Sequence, residues 1–182
     1  NTFLPLEQFR AYLKEAVSVP DIVEIAISTR PDCIRQDYLE VLQEFASIYH
    51  VHLTIELGLQ TTNCHTLNLI RRGHSLAEFI DAVLMIHQYG FEICTHVILN
   101  LPQDDLEDAV ETAKVLSALK VQVVKAHSLY IAKNTRLCED YENGTITLCS
   151  KEDYLNRLMV FLEYLNPEIA VERLFSRIPE KD

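Results

Sequence analysis

The chain has 182 residues, 48% of them hydrophobic and 24% charged, proportions that suit one folded domain rather than a disordered or fibrous segment. Its formal net charge is −11, so broad electrostatic attraction to a nucleic-acid backbone is not expected of this segment. No run of about 18 apolar residues is available to span a membrane, and the opening NTFLPLEQFR lacks the basic end and apolar core of a signal peptide.

The elements alternate along the chain. Leu6–Val17 has helical periodicity, and Ile22–Ser28 is a short β-branched run that reads as a strand. A helix is predicted over Asp37–Tyr49, a strand over His52–Gly58 and a helix over Leu76–Tyr89. Ser75 and Glu78 have capping-box spacing ahead of that helix, and Gly90 is placed to stop it. A strand over Ile93–Leu99 precedes a helix over Leu106–Leu119, for which Asp104 is the expected cap. A fourth strand covers Val121–His127. The helix Lys151–Leu165 is ended by Pro167, and Ile169–Val171 is placed to begin a further strand.

Strand-helix alternation with runs apolar enough for burial on both faces implies a parallel sheet with right-handed crossovers. Neither GxGxxG nor GxxxxGK[ST] is present, which weakens dinucleotide and P-loop readings. Four or five strands are too few for a closed eight-stranded barrel. An incomplete barrel or an open doubly wound sheet remains.

Polar residues follow each strand at its carboxyl end: Ser28 to Asp32, Gln60 to Asn63, Asn100 with Gln103, and His127 with Ser128. In α/β folds that rim is where ligands bind, and a ligand site is expected there. Glu56 and His96 fall inside apolar strands, where an unpaired polar group costs roughly 2–7 kcal/mol. Either Glu56 has a core partner such as His96 or Lys125, or these side chains face a barrel lumen; the lumen is the preferred reading. Arg71-Arg72-Gly73-His74 suits a helix end, where cations oppose the dipole, or the binding of a carboxylate by an Arg fork. The residues alone leave both open.

His50, His52, His65 and His87 read as surface or helix residues. No HExxH or DxD spacing appears, so no metal site made only from this chain is expected. Cys33, Cys64, Cys94, Cys138 and Cys149 are odd in number and widely spaced, without a CxxC pair. That pattern suits reduced thiols in the cytoplasm better than a disulfide framework or a zinc site.

Four motifs occur in order: ISTRPDC at Ile27–Cys33, ELGLQT at Glu56–Thr61, RRGH at Arg71–His74 and THVILNLP at Thr95–Pro102. Together they resemble a bacterial radical SAM family related to the Elongator catalytic subunit and to oxygen-independent coproporphyrinogen oxidase. The resemblance runs through the ERL at Glu172–Leu174. It implies a partial (βα)6 TIM-like barrel to which residues 1–182 contribute parallel strands three to six and flanking helices, as the C-terminal portion of one radical SAM core domain.

The family's CxxxCxxC loop, which holds a [4Fe–4S] cluster, would then precede Asn1. The chain, which does not begin with Met, is expected to be a piece of a longer protein and inactive alone. Carried over by position, Gln60 is similar to the residue contacting the ribose of S-adenosylmethionine (SAM), and Arg72 to the one pairing with its carboxylate. His96 stands where relatives often place an acid facing the ribose, Ile98 matches the residue against adenine, and backbone around His127–Tyr130 would flank the adenine. Ser28, Arg30 and Glu56 complete the expected cofactor-binding set, although Ser28 replaces a Glu of relatives. Asn100 and Gln103-Asp104 replace a tighter glycine-containing turn.

The activity implied for the intact protein is reductive cleavage of SAM to a 5′-deoxyadenosyl radical, fed by a reductant such as flavodoxin or ferredoxin. Elongator kinship implies tRNA as a substrate class. The competing readings are a non-redox α/β module binding another small ligand, and a non-catalytic interaction fragment.

Overall fold

The computed structural model describes residues 2–176. Five strands form one parallel sheet: β1 (Glu24–Thr29), β2 (His52–Gln60), β3 (Glu92–Ile98), β4 (Val123–His127) and β5 (Ala170–Arg173). Their order across the sheet is their order in sequence. A doubly wound sheet needs a reversal of strand order, so the sequential order leaves the partial-barrel alternative. The sheet is open among the described residues, with β1 and β5 at its edges.

With right-handed crossovers, sequential order puts every connecting helix on one face of the sheet. The helices are α1 (Leu6–Val17), α2 (Gln36–Tyr49), α3 (Cys64–Leu69), α4 (Leu76–Tyr89), α5 (Leu106–Ala118), α6 (Arg136–Glu142) and α7 (Lys151–Tyr164). In α4 the buried residues are Phe79, Ala82, Val83 and Ile86, and in α5 they are Ala109, Thr112, Ala113 and Leu116. This i, i+3, i+4, i+7 spacing is one helical stripe. The stripes pack on the strand residues that point the same way, Leu53, Ile55, Leu57, Ile93, Val97 and Val124, in one continuous core. Truncating the fully buried Phe79 to Ala would cost about 3–5 kcal/mol.

The alternate strand positions face the uncovered side, and there the sequence turns polar: Ser28, Glu56, Gly58, Cys94, His96, Lys125 and His127. No helix among the described residues is long and apolar enough to cross a membrane.

Three local expectations are corrected. Strand β1 starts at Glu24 rather than Ile22, three residues after Asp21, whose φ of 60° is left-handed. The cap of α5 is Asp105, which accepts from the backbone N–H groups of Glu107 and Asp108 in a capping box with Asp108. Asp104 is instead buried and accepts a 2.5 Å hydrogen bond from Thr66 Oγ1. Hydrophobic periodicity does not reveal the short helices α3 and α6, since both lack an apolar stripe; their caps, Asn63 and Thr135, are the legible signals. The Ser75–Glu78 capping box and the left-handed Gly90 stop of α4 are as predicted.

Candidate functional site

A cavity of about 410 Å³ opens at the carboxyl ends of the strands. Its lining draws on four strands: Ser28 from β1, Glu56, Gly58 and Gln60 from β2, His96 and Ile98 from β3, and His127 to Tyr130 from the end of β4, with Arg72 from the loop after α3. Seven of the eight cofactor residues expected from sequence therefore meet in one place. Arg30 does not join them. Its guanidinium grips Asp32, with Nε at 2.9 Å and Nη2 at 2.6 Å from the carboxylate, and Nη2 lies 3.4 Å from Gly73 O. Arg30 thus braces the RRGH loop from outside the cavity.

The rim end of β2 is built irregularly. The register slips between Gly58, opposite His96, and Gln60, opposite Val97, so Leu59 is an extra residue on β2, as in a β-bulge. Gln60 takes a left-handed φ of 74°, a conformation costly for a residue with a Cβ. The Gly58 carbonyl accepts from three side-chain donors: Arg72 Nη2 at 3.0 Å, Arg72 Nε at 3.3 Å and His74 Nε2 at 3.0 Å. A Cβ on Gly58 would lie 2.3 Å from Arg72 Nη2 and 2.7 Å from Gln60 Nε2. The missing side chain is the space that both polar groups occupy. Arg72 forms no ion pair among the described residues, and burial with Arg30 nearby draws its pKa down while leaving it a cation.

Below Gly58, Glu56 accepts from Ser28 Oγ and Lys125 Nζ, and Lys125 also meets Glu172 at 3.1 Å. Burial alone would push the Glu56 carboxyl up, but these two donors outweigh it and hold it below the usual carboxylate range. Both sequence readings of Glu56 hold together: it has a partner, and it faces the uncovered side. His96 stacks on His127, with ring centroids 5.1 Å apart, and His127 Nε2 lies 3.1 Å from His96 Nδ1. His127 Nδ1 lies 2.6 Å from Ser176 Oγ.

The acceptors assign the protons of this pair. Glu56 accepts only, so an N–H is favoured on His96 Nε2, 3.8 Å away. His96 Nδ1 then accepts from His127 Nε2–H, and Ser176 donates to His127 Nδ1. His96 Nε2 is buried and has no hydrogen-bond partner among the described residues. Burial draws both rings down, His127 to about 4 with His96 adding to the effect, so both are neutral at pH 7.

The five cysteines are all free and sit on separate segments. Among the described residues the potential metal-ligand groups contain at most one thiol, Cys94 beside Glu56 and His96, and burial pushes that thiol up to about 12. A [4Fe–4S] cluster is held chiefly by Cys thiolates, so this chain's residues do not fit one. The cavity does fit an adenosyl amino acid. It offers an unpaired guanidinium, a carboxamide, an orphan imidazole N–H and the apolar flank of Ile98, within the usual size of a small-ligand pocket.

The family model described as the radical SAM superfamily matches residues 2–116, and one described as the Radical_SAM C-terminal domain matches residues 121–182. The chain belongs to the radical SAM superfamily. An uncharacterised protein of Methanocaldococcus jannaschii is 33% identical over 181 residues, covering 99% of this chain and 56% of that protein. The radical SAM chain thus spans about half the length of the curated relatives it matches.

Among solved structures, an archaeal Elp3 from Methanocaldococcus infernus superposes with TM-score 0.85 at 17% identity, over 98% of this chain and 46% of that one. Coproporphyrinogen III oxidase (HemN) from Escherichia coli, described as a radical SAM enzyme, gives 0.70 at 19% identity, over 90% of this chain and 37% of that one. At these identities the likeness concerns the fold. The C-terminal match begins just before β4, yet β4 and β5 continue the same sheet without a break.

Proposed function

We propose that this chain is the SAM-binding portion of a radical SAM iron-sulfur enzyme, residues 1–182 forming the C-terminal part of its core domain. The observation that carries the reading is the unpaired Arg72 guanidinium held over Gly58, in a cavity that also gathers Gln60, His96 and Ile98. In this reading Arg72 binds the methionyl carboxylate as a fork. The Gln60 amide and the orphan His96 N–H serve the ribose hydroxyls. Ile98 lies against adenine, and backbone at His127–Tyr130 flanks it. Ser28 acts indirectly, through Glu56, and Arg30 acts by bracing the loop that carries Arg72.

When cleaved reductively, bound SAM supplies a 5′-deoxyadenosyl radical; no step of that cleavage belongs to this chain's own residues. Its residues bind and orient SAM and wall off the reacting end from water. The cluster and a reductant such as flavodoxin or ferredoxin belong to the complete enzyme, whose compartment is read as the cytoplasm. A tRNA uridine(34) acetyltransferase among the relatives, 23% identical over 176 residues, makes tRNA the substrate class to test first. With a net charge of −11, this segment is not the part that would grip a phosphate backbone.

The test is SAM binding to the full-length protein by calorimetry, followed by anaerobic assay for 5′-deoxyadenosine after reduction. Saturable one-site binding, weakened at least tenfold in Arg72→Ala, supports the reading. Undetectable SAM binding, or affinity untouched by Arg72→Ala, removes it.

A further inference from the structure

Arg72 has a long, flexible side chain, and a flexible cation recognises a carboxylate poorly unless something fixes its plane. Two neighbours fix it. Gly58 has no Cβ, and the guanidinium lies in the vacated space, with Nη2 only 2.3 Å from where a Cβ would stand. Arg72 Nε and Nη2 then both donate to Gly58 O, which sets the fork's in-plane direction. The same carbonyl accepts from His74 Nε2, and His74 is buried, 7% exposed.

The second ring nitrogen, Nδ1, lies 3.3 Å from Ser75 O, another acceptor. A neutral imidazole has one N–H to give, and the shorter contact assigns it to Gly58 O. His74 thereby fixes the orientation of the peptide on which Arg72 rests. Arg30 closes the arrangement from behind, its guanidinium packed on Gly73 where a Cβ would lie 2.7 Å from Nη2.

We propose that Gly58 and His74 are positioning residues that together seat the Arg72 guanidinium for recognition of a ligand carboxylate. The inference rests on the SAM reading and extends it to two residues that act through Arg72. Nothing in the spacing of the motifs pointed to Gly58, and His74 was legible only as part of the polar RRGH loop.

The seat has a pH dependence with a definite sign. Burial lowers the His74 pKa, the Ser75 carbonyl opposes this, and the Arg72 charge adds to the lowering. The other charges facing the ring are Asp32, which favours its protonation, with Arg30 and Glu78 further round the loop. At pH 7.5 the ring is neutral. As pH falls, a second cation forms beside Arg72 on one shared carbonyl, and the seat is disturbed.

The experiment compares two ligands of the full-length protein by calorimetry: SAM, which carries the carboxylate, and 5′-methylthioadenosine, which shares the nucleoside and lacks it. Gly58→Ala should fold, since the atoms its Cβ meets are the tips of two flexible side chains. It should weaken SAM at least tenfold, and His74→Leu about fivefold. Gln60 also meets the new Cβ, so for Gly58→Ala the expected result is a larger loss for SAM than for methylthioadenosine. For His74→Leu the methylthioadenosine affinity should stay within twofold of wild type. His74→Gln, which restores a donor toward Gly58 O, should recover most SAM affinity and lose less of it than wild type as pH falls below 7.5.

Equal losses for the two ligands in His74→Leu, or no rescue by His74→Gln, overturn the proposal. Absence of SAM binding by the wild-type protein overturns the SAM reading instead. In an Arg72→Ala background, His74→Leu should add nothing further to the SAM loss; an additive loss also overturns the seat.

Discussion

Glu56 on β2 and Lys125 on β4 form an ion pair across the intervening strand β3, on the face of the sheet that no helix covers among the described residues. Their side chains are only 13% and 12% exposed, and Ser28 and Glu172 complete the network from the flanking strands. Four of the five strands are thus tied by one polar cluster. A buried pair is costly to break from one side, because the remaining charge is left without a partner.

Lys125→Met should therefore destabilise the fold by about 3 kcal/mol. The double variant Glu56→Gln with Lys125→Met should recover most of that loss. Urea unfolding midpoints of the two variants against wild type check this, and a double variant no more stable than the single one refutes it.

Gln60 carries the second prediction. Its φ of 74° is left-handed, and a Cβ there costs about 1–2 kcal/mol that Gly avoids. Gln60→Ala and Gln60→Gly both lose the amide, so both should weaken SAM binding alike. Gln60→Gly should nonetheless be the more stable by about 1 kcal/mol. Thermal melts together with SAM titrations separate the two effects.

The cap of α5 gives a third. Asp105→Ala removes the acceptor for two backbone N–H groups and should cost about 1 kcal/mol. Asp104→Asn should cost little at pH 7: burial raises the Asp104 pKa, and an amide oxygen can still accept from Thr66. Chemical denaturation of both variants checks this, and a loss for Asp104→Asn as large as that for Asp105→Ala refutes it.

Acid sensitivity follows from His127. Its ring titrates near 6.5 when unfolded and at about 4 when folded, mainly through burial. Between those values the unfolded chain binds more protons, so stability falls as pH drops from about 6.5 to about 4. His127→Gln should lose less of its urea midpoint between pH 7 and pH 5 than wild type does. An unchanged slope would mean that the ring is not buried as described.

The amphipathic helices were legible because their apolar stripes and caps are local, as Ser75, Glu78 and Gly90 illustrate. The strands were legible from β-branched runs, to within two residues. Asp104 and Asp105 could not be told apart from sequence, because the choice depends on Thr66, a tertiary neighbour. Ser28, Glu56, Gln60, Arg72, His96, Ile98 and His127 could be brought together in advance by family motifs and the rim rule. Arg30 shared the rim position, but its side chain was captured by Asp32 two residues away. The positioning roles of Gly58 and His74 are not legible in sequence, since they depend on a register slip and a shared carbonyl, neither of which has a sequence period.

The sequential strand order also bears on how the chain reaches its structure. Each strand pairs only with those immediately before and after it in the chain, Ile27 with Ile55 and Ile55 with Ile93. Every loop closed during folding then joins consecutive strands and never spans a third, which limits the entropic barrier to each step. During synthesis, a newly emerged strand finds its template already standing, and β2 can dock before β3 has left the ribosome. The sheet can grow one strand–helix unit at a time, with one of its two free edges always at the newest strand.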